Sequence, residues 1–165
     1  MNAVDDEPQA AGDLAMRPSG EHEHRIVVGV DGSTPSKSAL AWAVRQARLT
    51  GATVEAVIAW EYPVNYRYPV PVLPNMDFGE LAGQVVALAI ADVCSLDEQV
   101  TITPKVVEGN AARVLLNASA GADLLVVGSR GHGGFVEALL GSTGQHCVHY
   151  ATCPVVVIRD SVASG

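Results

Sequence analysis

A glycine-rich segment in the last third of the chain has the clearest potential for ligand chemistry. It contains Gly128, Gly131 and Gly141, followed by Ser142 and Thr143 where a helix is predicted to begin. Glycines let a ligand approach the backbone closely, and the unpaired amides at a helix N-terminus stabilise an anion. The two hydroxyl groups would add donors. The segment predicts a phosphate site, although a flexible turn followed by an ordinary helix cap also accounts for the glycine content.

Two charged residues adjoin predicted strands and are further candidates for ligand contact. Asp31 begins the turn Asp31-Gly32-Ser33, and its carboxylate suits a magnesium ion or a ribose hydroxyl. Its alternative role is an Asx turn, in which the carboxylate bonds its own loop amides. Arg130 lies within the glycine-rich segment, where it is either a phosphate ligand or a solvated loop charge.

Several well-known nucleotide motifs are missing from the sequence. No GxxxxGK[ST] segment occurs, and the glycine-rich segment contains no lysine, so the phosphate clamp of a P-loop ATPase is lacking. Fast ATP hydrolysis is therefore not expected. The turn after the first predicted strand also lacks GxGxxG, which disfavours binding of NAD.

The elements that must position these residues are short apolar strands that alternate with helices. Strands are predicted over 26–30, 53–60, 100–107, 124–127 and 154–159, and Pro104 places the third at a sheet edge. The first helix is predicted to begin with Thr34 as N-cap and Pro35 as its first residue, and to end before Gly51. The second helix covers 78–93, and the others begin after Asn110, closing at Gly121, and after Ser142.

This alternation predicts a doubly wound α/β fold with a five-stranded parallel sheet and helices on both faces. In such sheets a ligand binds at the carboxyl ends of the strands, where the winding direction reverses. The loops after the first and fourth strands are therefore the expected site, and they carry Asp31 and the glycine-rich segment respectively.

Length and composition favour one folded domain. The chain has 165 residues and a mass of 17.2 kDa, with 48% hydrophobic and 17% charged residues, which is too apolar for a disordered chain. No apolar run reaches the roughly 18 to 20 residues that span a bilayer, so no membrane segment is expected. Residues 1–24 are predicted to be a disordered acidic tail, 25–160 the domain and 161–165 a short C-terminal tail.

Charge and cysteine content exclude some classes of partner. Ten basic residues against 18 acidic ones give a formal net charge of −8, which opposes nucleic-acid binding. Three cysteines without CxxC spacing suit reduced thiols better than a disulfide framework. The acidic N-terminus lacks the basic and then apolar pattern of a secretory signal, so a cytoplasmic protein is expected.

The spacing Gly128-x2-Gly131-x9-Gly141-Ser142 resembles the nucleotide-binding signature of the universal stress protein family. Similarity extends over about 25–159 and includes the stretches 28–33 and 153–158. The resemblance implies an adenine nucleotide alpha-hydrolase-like sheet with strand order 3-2-1-4-5. It also implies a stress-response regulator that uses ATP as a ligand more than as a rapidly hydrolysed substrate.

The resemblance also implies a set of ligand contacts. The matching glycines and Ser142 hold the phosphates, Asp31 lies beside the ribose and phosphates as a candidate magnesium ligand, and Ala59 meets the adenine through its backbone. The chain departs from the family pattern at two positions: Gly144 replaces a Ser or Thr whose hydroxyl faces the phosphates, and Ala111 replaces a Pro, which should affect the start of the helix more than the ligand. We therefore expect weaker affinity but not a lost site. The nucleotide-binding residues implied in this way are Gly29, Val30, Asp31, Ala59, Val127, Gly128, Arg130, Gly131, Gly141, Ser142 and Thr143.

The last predicted strand, Pro154 to Arg159, has four consecutive β-branched residues and no later strand to cover it. An exposed edge of this kind is prone to association, so we expect a homodimer in which two copies of the strand pair antiparallel, as the resemblance also implies. The functional alternatives to an ATP-binding regulator are a cyclic AMP binder, a dimeric interaction module that needs no nucleotide, and a slow ATP hydrolase.

Overall fold

The computed structural model describes residues 23–62, 76–94, 99–130 and 140–159. Four predicted features lie wholly or largely outside these ranges: the acidic tail, the proline-rich excursion from Pro63 to Pro74, Gly131, and residues 161–165. The elements alternate as predicted, in the order β1 (Arg25–Gly29), α1 (Thr34–Thr50), β2 (Thr53–Trp60), α2 (Phe78–Cys94), β3 (Ile102–Glu108), α3 (Ala111–Ala118), β4 (Leu124–Gly128), α4 (Ser142–Tyr150) and β5 (Val155–Ile158).

The five strands form one parallel sheet in the order β3-β2-β1-β4-β5, which confirms the predicted fold class and strand order. β3 is an edge strand, as Pro104 predicted, because a proline cannot donate to a second neighbour. β1 and β4 are central and read as continuous apolar runs, since helices cover both of their faces.

Alternate side chains of the sheet enter two separate apolar layers. Val28 and Val126 pack with Leu40 beneath α1 and α2, and none of the three is measurably exposed. On the opposite face, Val27 and Leu125 pack beneath α3 and α4. Burying a side chain of this size stabilises the fold by about 1.5–3 kcal/mol, so the two layers hold the carboxyl ends of β1 and β4 in fixed positions.

The first helix begins one residue earlier than predicted. Its N-cap is Ser33, which has extended backbone angles and whose hydroxyl accepts a hydrogen bond from the amide of Ser36, so the prediction of Thr34 was wrong. Both residue types are good N-caps, and the fold of the preceding turn decides between them. Gly51 closes the helix with φ 72°, as predicted.

Other boundaries differ by a few residues. The third helix ends at Ala118 rather than running up to Gly121, because a turn closed by the bond from the Ala122 amide to the Ser119 carbonyl intervenes. β3 begins at Ile102, two residues later than predicted.

Arg25 ties the end of α3 to the amino edge of the sheet. Its guanidinium donates to the carbonyls of Ala118 and Ala120, at 2.9 and 3.0 Å, and to the Glu55 carboxylate at 3.1 Å. A cation suits the carbonyl end of a helix. This anchor leaves the N-terminus of α3 at the opposite, carboxyl edge of the sheet. Among the helices of the described ranges, none is long and apolar enough to cross a membrane.

Candidate functional site

A cleft opens at the carboxyl ends of β1 and β4, where the winding of the sheet reverses. Its volume is about 200 Å³, and its mouth is open to solvent. One wall is the turn between β1 and α1, and the other is the end of β4 together with the start of α4. The inner end lies against β2 and α3.

Every predicted site residue that the structure describes lines this one cleft, and Gly131 lies outside the described residues. Their role in nucleotide binding stays a prediction, since the geometry shows proximity only. The predicted residues that line the cleft are Gly29, Val30, Asp31, Ala59, Val127, Gly128, Arg130, Gly141, Ser142 and Thr143.

Five further residues line the cleft without having been predicted as contacts. Gly144 and Ala111 were noted in the sequence only as departures from the family pattern. A period-two reading of β2 could have found Val57, because it lies two residues before Ala59 and shares its face. Leu115 and Ser36 carry no local signal, since their position depends on how their helices pack. The unpredicted lining residues are Ser36, Val57, Ala111, Leu115 and Gly144.

The β1–α1 wall is held by hydrogen bonds among Asp31, Ser33 and Ser36. One Asp31 carboxylate oxygen accepts from both the amide and the hydroxyl of Ser33, at 2.9 and 2.5 Å. The buried Ser36 hydroxyl donates to the Ser33 carbonyl and accepts from the Asp31 amide. Asp31 therefore forms the Asx turn considered from the sequence and also faces the cleft.

Glycine is required at the tip of this wall. Gly32 has φ 82°, and a Cβ there would lie 2.8 Å from Cγ1 of Val85 on α2. A left-handed conformation is costly for other residues. Both the backbone angle and the contact with Val85 therefore require glycine at position 32.

The N-terminus of α4 is built differently from those of the other helices in the described ranges. Side chains of Ser33, Asp77 and Asn110 accept from first-turn amides of α1, α2 and α3 respectively. The N-cap of α4 is Gly141, which has no side chain to offer. The first three amides of a helix have no intrahelical acceptor, and those of Ser142, Thr143 and Gly144 have no acceptor among the described residues, so they suit an anion in the cleft.

The start of α4 is fixed at the end of the sheet even though a long connection precedes it. The amide of Gly141 donates to the carbonyl of Ser129 at 2.8 Å, and the amide of Ser129 donates to the carbonyl of Ile158 at 2.7 Å. The two ends of the glycine-rich segment therefore meet beside β5. This contact holds the first turn of α4 next to the end of β4.

The two walls touch at Gly128. A Cβ on Gly128 would lie 2.8–2.9 Å from the backbone carbonyl carbon and oxygen and from the Cβ of Pro35, in the first turn of α1. Backbone atoms cannot move aside as the end of a side chain can. The glycine is thus required by the close packing of β4 against α1, in addition to any contact with a ligand.

The inner end of the cleft is apolar. Val57, Ala59 and Val127 lie on the strands beneath it, and Leu115 of α3 reaches in from above. Gly29 gives Leu115 its space, because a Cβ at Gly29 would lie 2.9 Å from a Leu115 methyl. A flat aromatic base fits such a surface, and the amides at the start of α4 line the same cleft.

Charges in the cleft lining are few and balanced. Arg130 is the one cation and Asp31 the one carboxylate among the lining residues that the structure describes. No group of three or more His, Cys, Asp or Glu residues that could hold a metal lies together in the described part of the chain. Asp31 thus suits a magnesium ion that takes its remaining ligands from phosphate oxygens and water, which is how proteins usually bind that ion.

Cys147 lies on the inward face of α4 and is completely buried. Burial, and secondarily the nearby Cys153, raises the pKa of its thiol from the ordinary 9.0 to about 11. The thiol therefore remains protonated in the folded protein and packs the inward face of α4 against the sheet.

Residues 23–159 match the family model described as the universal stress protein family. A universal stress protein of Mycolicibacterium smegmatis is 35% identical over 145 residues, which cover 83% of this chain and 48% of that protein. The chain spans about half the length of the curated relatives it matches.

Solved structures share the fold. A universal stress protein from Archaeoglobus fulgidus in complex with dAMP aligns with a TM-score of 0.61 and 21% identity, covering 82% of this chain and 97% of that one. A universal stress protein in complex with cAMP aligns with a TM-score of 0.53 and 24% identity, covering 82% and 95% respectively. The match of the family model over most of the chain makes this protein a member of the universal stress protein family.

Proposed function

We propose that this protein is a cytoplasmic stress-response regulator that binds an adenine nucleotide in the cleft between β1 and β4. The base lies at the apolar inner end, and the phosphates lie against the start of α4. ATP, with magnesium beside Asp31, is the ligand implied by the family resemblance, and cyclic AMP is the alternative. The ligand acts as a regulator, since the P-loop machinery for fast hydrolysis is missing from the sequence.

The observation that carries this proposal is the missing side-chain cap on α4. In the described ranges, each of the other three helices has one first-turn amide bonded by a side chain, whereas the N-cap of α4 is Gly141, which lines the cleft. Amides that have no acceptor in the described part of the chain, together with the helix dipole, favour an anion at this end. The apolar end beside Ala59 and Leu115 supports a base. Relatives of the same fold in complex with dAMP and cAMP support adenine as that base.

The proposal is tested first without adding any ligand. Mass spectrometry of small molecules released on denaturing freshly purified protein is expected to find an adenine nucleotide. Titration calorimetry with ATP and cyclic AMP, each with magnesium, then measures binding directly. If nothing is released and neither ligand binds at millimolar concentration, the proposed function is wrong.

A matched pair of arginine variants tests where the ligand binds. Arg130→Gln removes the one cation of the described cleft lining, and a charge-assisted bond to phosphate contributes about 1.5–3 kcal/mol. We expect the affinity for nucleotide to fall about tenfold or more. Arg45→Gln, on the exposed side of α1, is the control and should leave affinity unchanged.

We also propose that the protein forms a homodimer through the strand Pro154 to Arg159. β5 is an edge of the sheet, and its four residues are half-buried and uncharged. β3, the other edge, carries Pro104 and Lys105, which discourage pairing with a second chain. The unprotected edge is therefore the one suited to a second copy of this chain.

Two lysine variants on opposite edges test this dimer. Val156→Lys on β5 should give the mass of a monomer in light scattering, since it places a charge in the paired strand. Val106→Lys on β3 is the matched control and should remain dimeric. An unchanged mass for Val156→Lys would refute the interface, whichever nucleotide binds.

A further inference from the structure

The cleft ends at Leu115 on the side of α3. This helix begins at the carboxyl edge of the sheet, where Ala111 lines the cleft, and Leu115 lies one turn farther in. The register of the sheet places Gly29, Val57 and Val127 at one level, and they are the innermost lining residues of their strands. Leu115 lies over Gly29, so it closes the cleft at this depth.

The Leu115 side chain has no room to retreat from a ligand. A Cβ built on Gly29 would lie 2.9 and 3.3 Å from the two methyl carbons of Leu115, so these methyls lie against the backbone of β1. Leu115 is 5% exposed and packs in the same apolar cluster as Val57 and Val127. Protein interiors are close-packed, so the side chain cannot move deeper without displacing these neighbours. It is therefore a fixed boundary.

The proposed binding mode decides which part of a nucleotide meets this boundary. The phosphates lie against the start of α4, and the ribose joins the base at N9. The edge of adenine remote from N9, which carries the exocyclic amino group N6, then enters the cleft first.

We infer that Leu115 is a specificity-determining residue that excludes adenine nucleotides with a bulky substituent on N6. Gly29 contributes to this selectivity, because its lack of a side chain sets how far Leu115 recedes from the ligand. The inference rests on the proposed function and adds a size limit for the base.

Calorimetry with ATP and with N6-benzyl-ATP, each with magnesium, tests this selectivity in the full chain. We expect N6-benzyl-ATP to bind the unaltered protein at least about tenfold more weakly than ATP, because the benzyl group meets the Leu115 methyls. Equal affinities would overturn the inference and leave the proposed function standing. Binding of neither nucleotide at millimolar concentration would overturn the inference, and the release of nucleotide on denaturation then decides the proposed function separately.

Two leucine variants locate the discrimination. Leu115→Ala removes the methyls and should raise the affinity for N6-benzyl-ATP about tenfold, while ATP affinity changes less than about threefold. Leu116→Ala is the matched control, because Leu116 is the neighbouring leucine on α3 and lies outside the cleft lining. It should discriminate as the unaltered protein does. A Leu115→Ala protein that still rejects N6-benzyl-ATP, or an equal gain in Leu116→Ala, would contradict the inference.

A substitution at Gly29 tests the same boundary from the other side. The backbone of Gly29 is not left-handed, and the three atoms nearest to an added Cβ all belong to Leu115, so Gly29→Ala conflicts with that side chain. The methyls then move toward the cleft, and we expect ATP to bind about tenfold more weakly.

The double variant Gly29→Ala/Leu115→Ala separates this effect from a direct role of the Gly29 backbone. It should recover the ATP affinity of Leu115→Ala to within about threefold, since no methyls remain for the new Cβ to displace. A double variant that binds ATP as weakly as Gly29→Ala would overturn the inference.

Thermal unfolding of every variant is followed by circular dichroism, because Leu115→Ala leaves a cavity in the apolar cluster. If Leu115→Ala does not fold, Leu115→Val, which is shorter by one methylene, takes its place. We then expect the affinity for N6-benzyl-ATP to rise about threefold. No gain in folded Leu115→Val would overturn the inference.

Discussion

The two walls of the cleft are built on opposite principles. In the β1–α1 wall, Asp31, Ser33 and Ser36 bond to one another, so its polar groups fix the shape of the turn. In the α4 wall, Gly141 offers no cap, and the first-turn amides have no acceptor in the described part of the chain. Self-satisfied groups provide shape, and unsatisfied ones provide binding energy. A ligand should therefore depend on the first wall for position and on the second for affinity.

The largest effect is expected where the walls meet. Gly128→Val places a side chain against the backbone of Pro35, and overpacking of this kind costs typically about 1–3 kcal/mol. We expect the free energy of urea unfolding to fall by about 2–3 kcal/mol, with nucleotide binding lost. Gly83→Ala on α2, where the nearest atom to a Cβ lies at 3.9 Å, is the control and should be stable. A Gly128→Val protein of full stability would show that the walls are not in rigid contact.

Removing hydroxyls from the binding wall should lower affinity without lowering stability. In the double variant Ser142→Ala/Thr143→Ala two donors are lost, for which we expect about tenfold weaker binding by calorimetry. The Tm should stay within about 2 °C because neither hydroxyl is bonded to another described residue. Thr103→Ala on β3 removes a hydroxyl away from the cleft lining and is the control, so it should change neither the affinity nor the Tm. A marked loss of Tm in the double variant would mean that this wall is also self-satisfied.

Removing the N-cap from the β1–α1 wall should lower the stability of the fold more than the affinity for nucleotide. Ser33→Ala deletes the N-cap of α1 and the bond to Asp31, and loss of a cap costs about 1 kcal/mol. We expect that loss in urea unfolding, with nucleotide affinity reduced about threefold as Asp31 becomes less well oriented. Asp77→Ala, which uncaps α2 away from the cleft lining, should lose similar stability and no affinity. Rescue by Ser33→Thr supports the capping role.

The smallest effect concerns Cys147, on the inward face of α4 in the binding wall. The pKa of Cys147 is raised from 9.0 to about 11 in the folded protein, so the unfolded chain loses this proton first as the pH rises. Stability from this group is complete below about pH 9 and is lost progressively toward pH 11. We expect the free energy of unfolding, measured in urea, to be lower at pH 9.5 than at pH 8, by under about 1 kcal/mol from this group. Cys147→Ala should flatten the difference, and an unchanged pH dependence would contradict it.

Much of the site could be predicted because its signals are local. Glycine spacing and the hydroxyls after Gly141 mark a helix start, and Pro104 marks an edge strand whatever surrounds it. Ser33 and Thr34 could not be told apart as caps, since both can accept from the helix amides and the turn at Asp31 decides. Leu115 was missed because α3 brings it to the cleft by packing.

The sequence by itself determined the alternation of strands and helices, the sheet edge at β3 and the position of the donor-rich helix start, since each depends on residues close together in the chain. Only the tertiary structure decided that Gly128 packs on Pro35 and that Leu140 covers Gly144. It also decided that three of the four helix starts in the described ranges are closed by side chains while α4 is left open. Such contacts depend on distances between packed elements, which residue type and spacing do not specify.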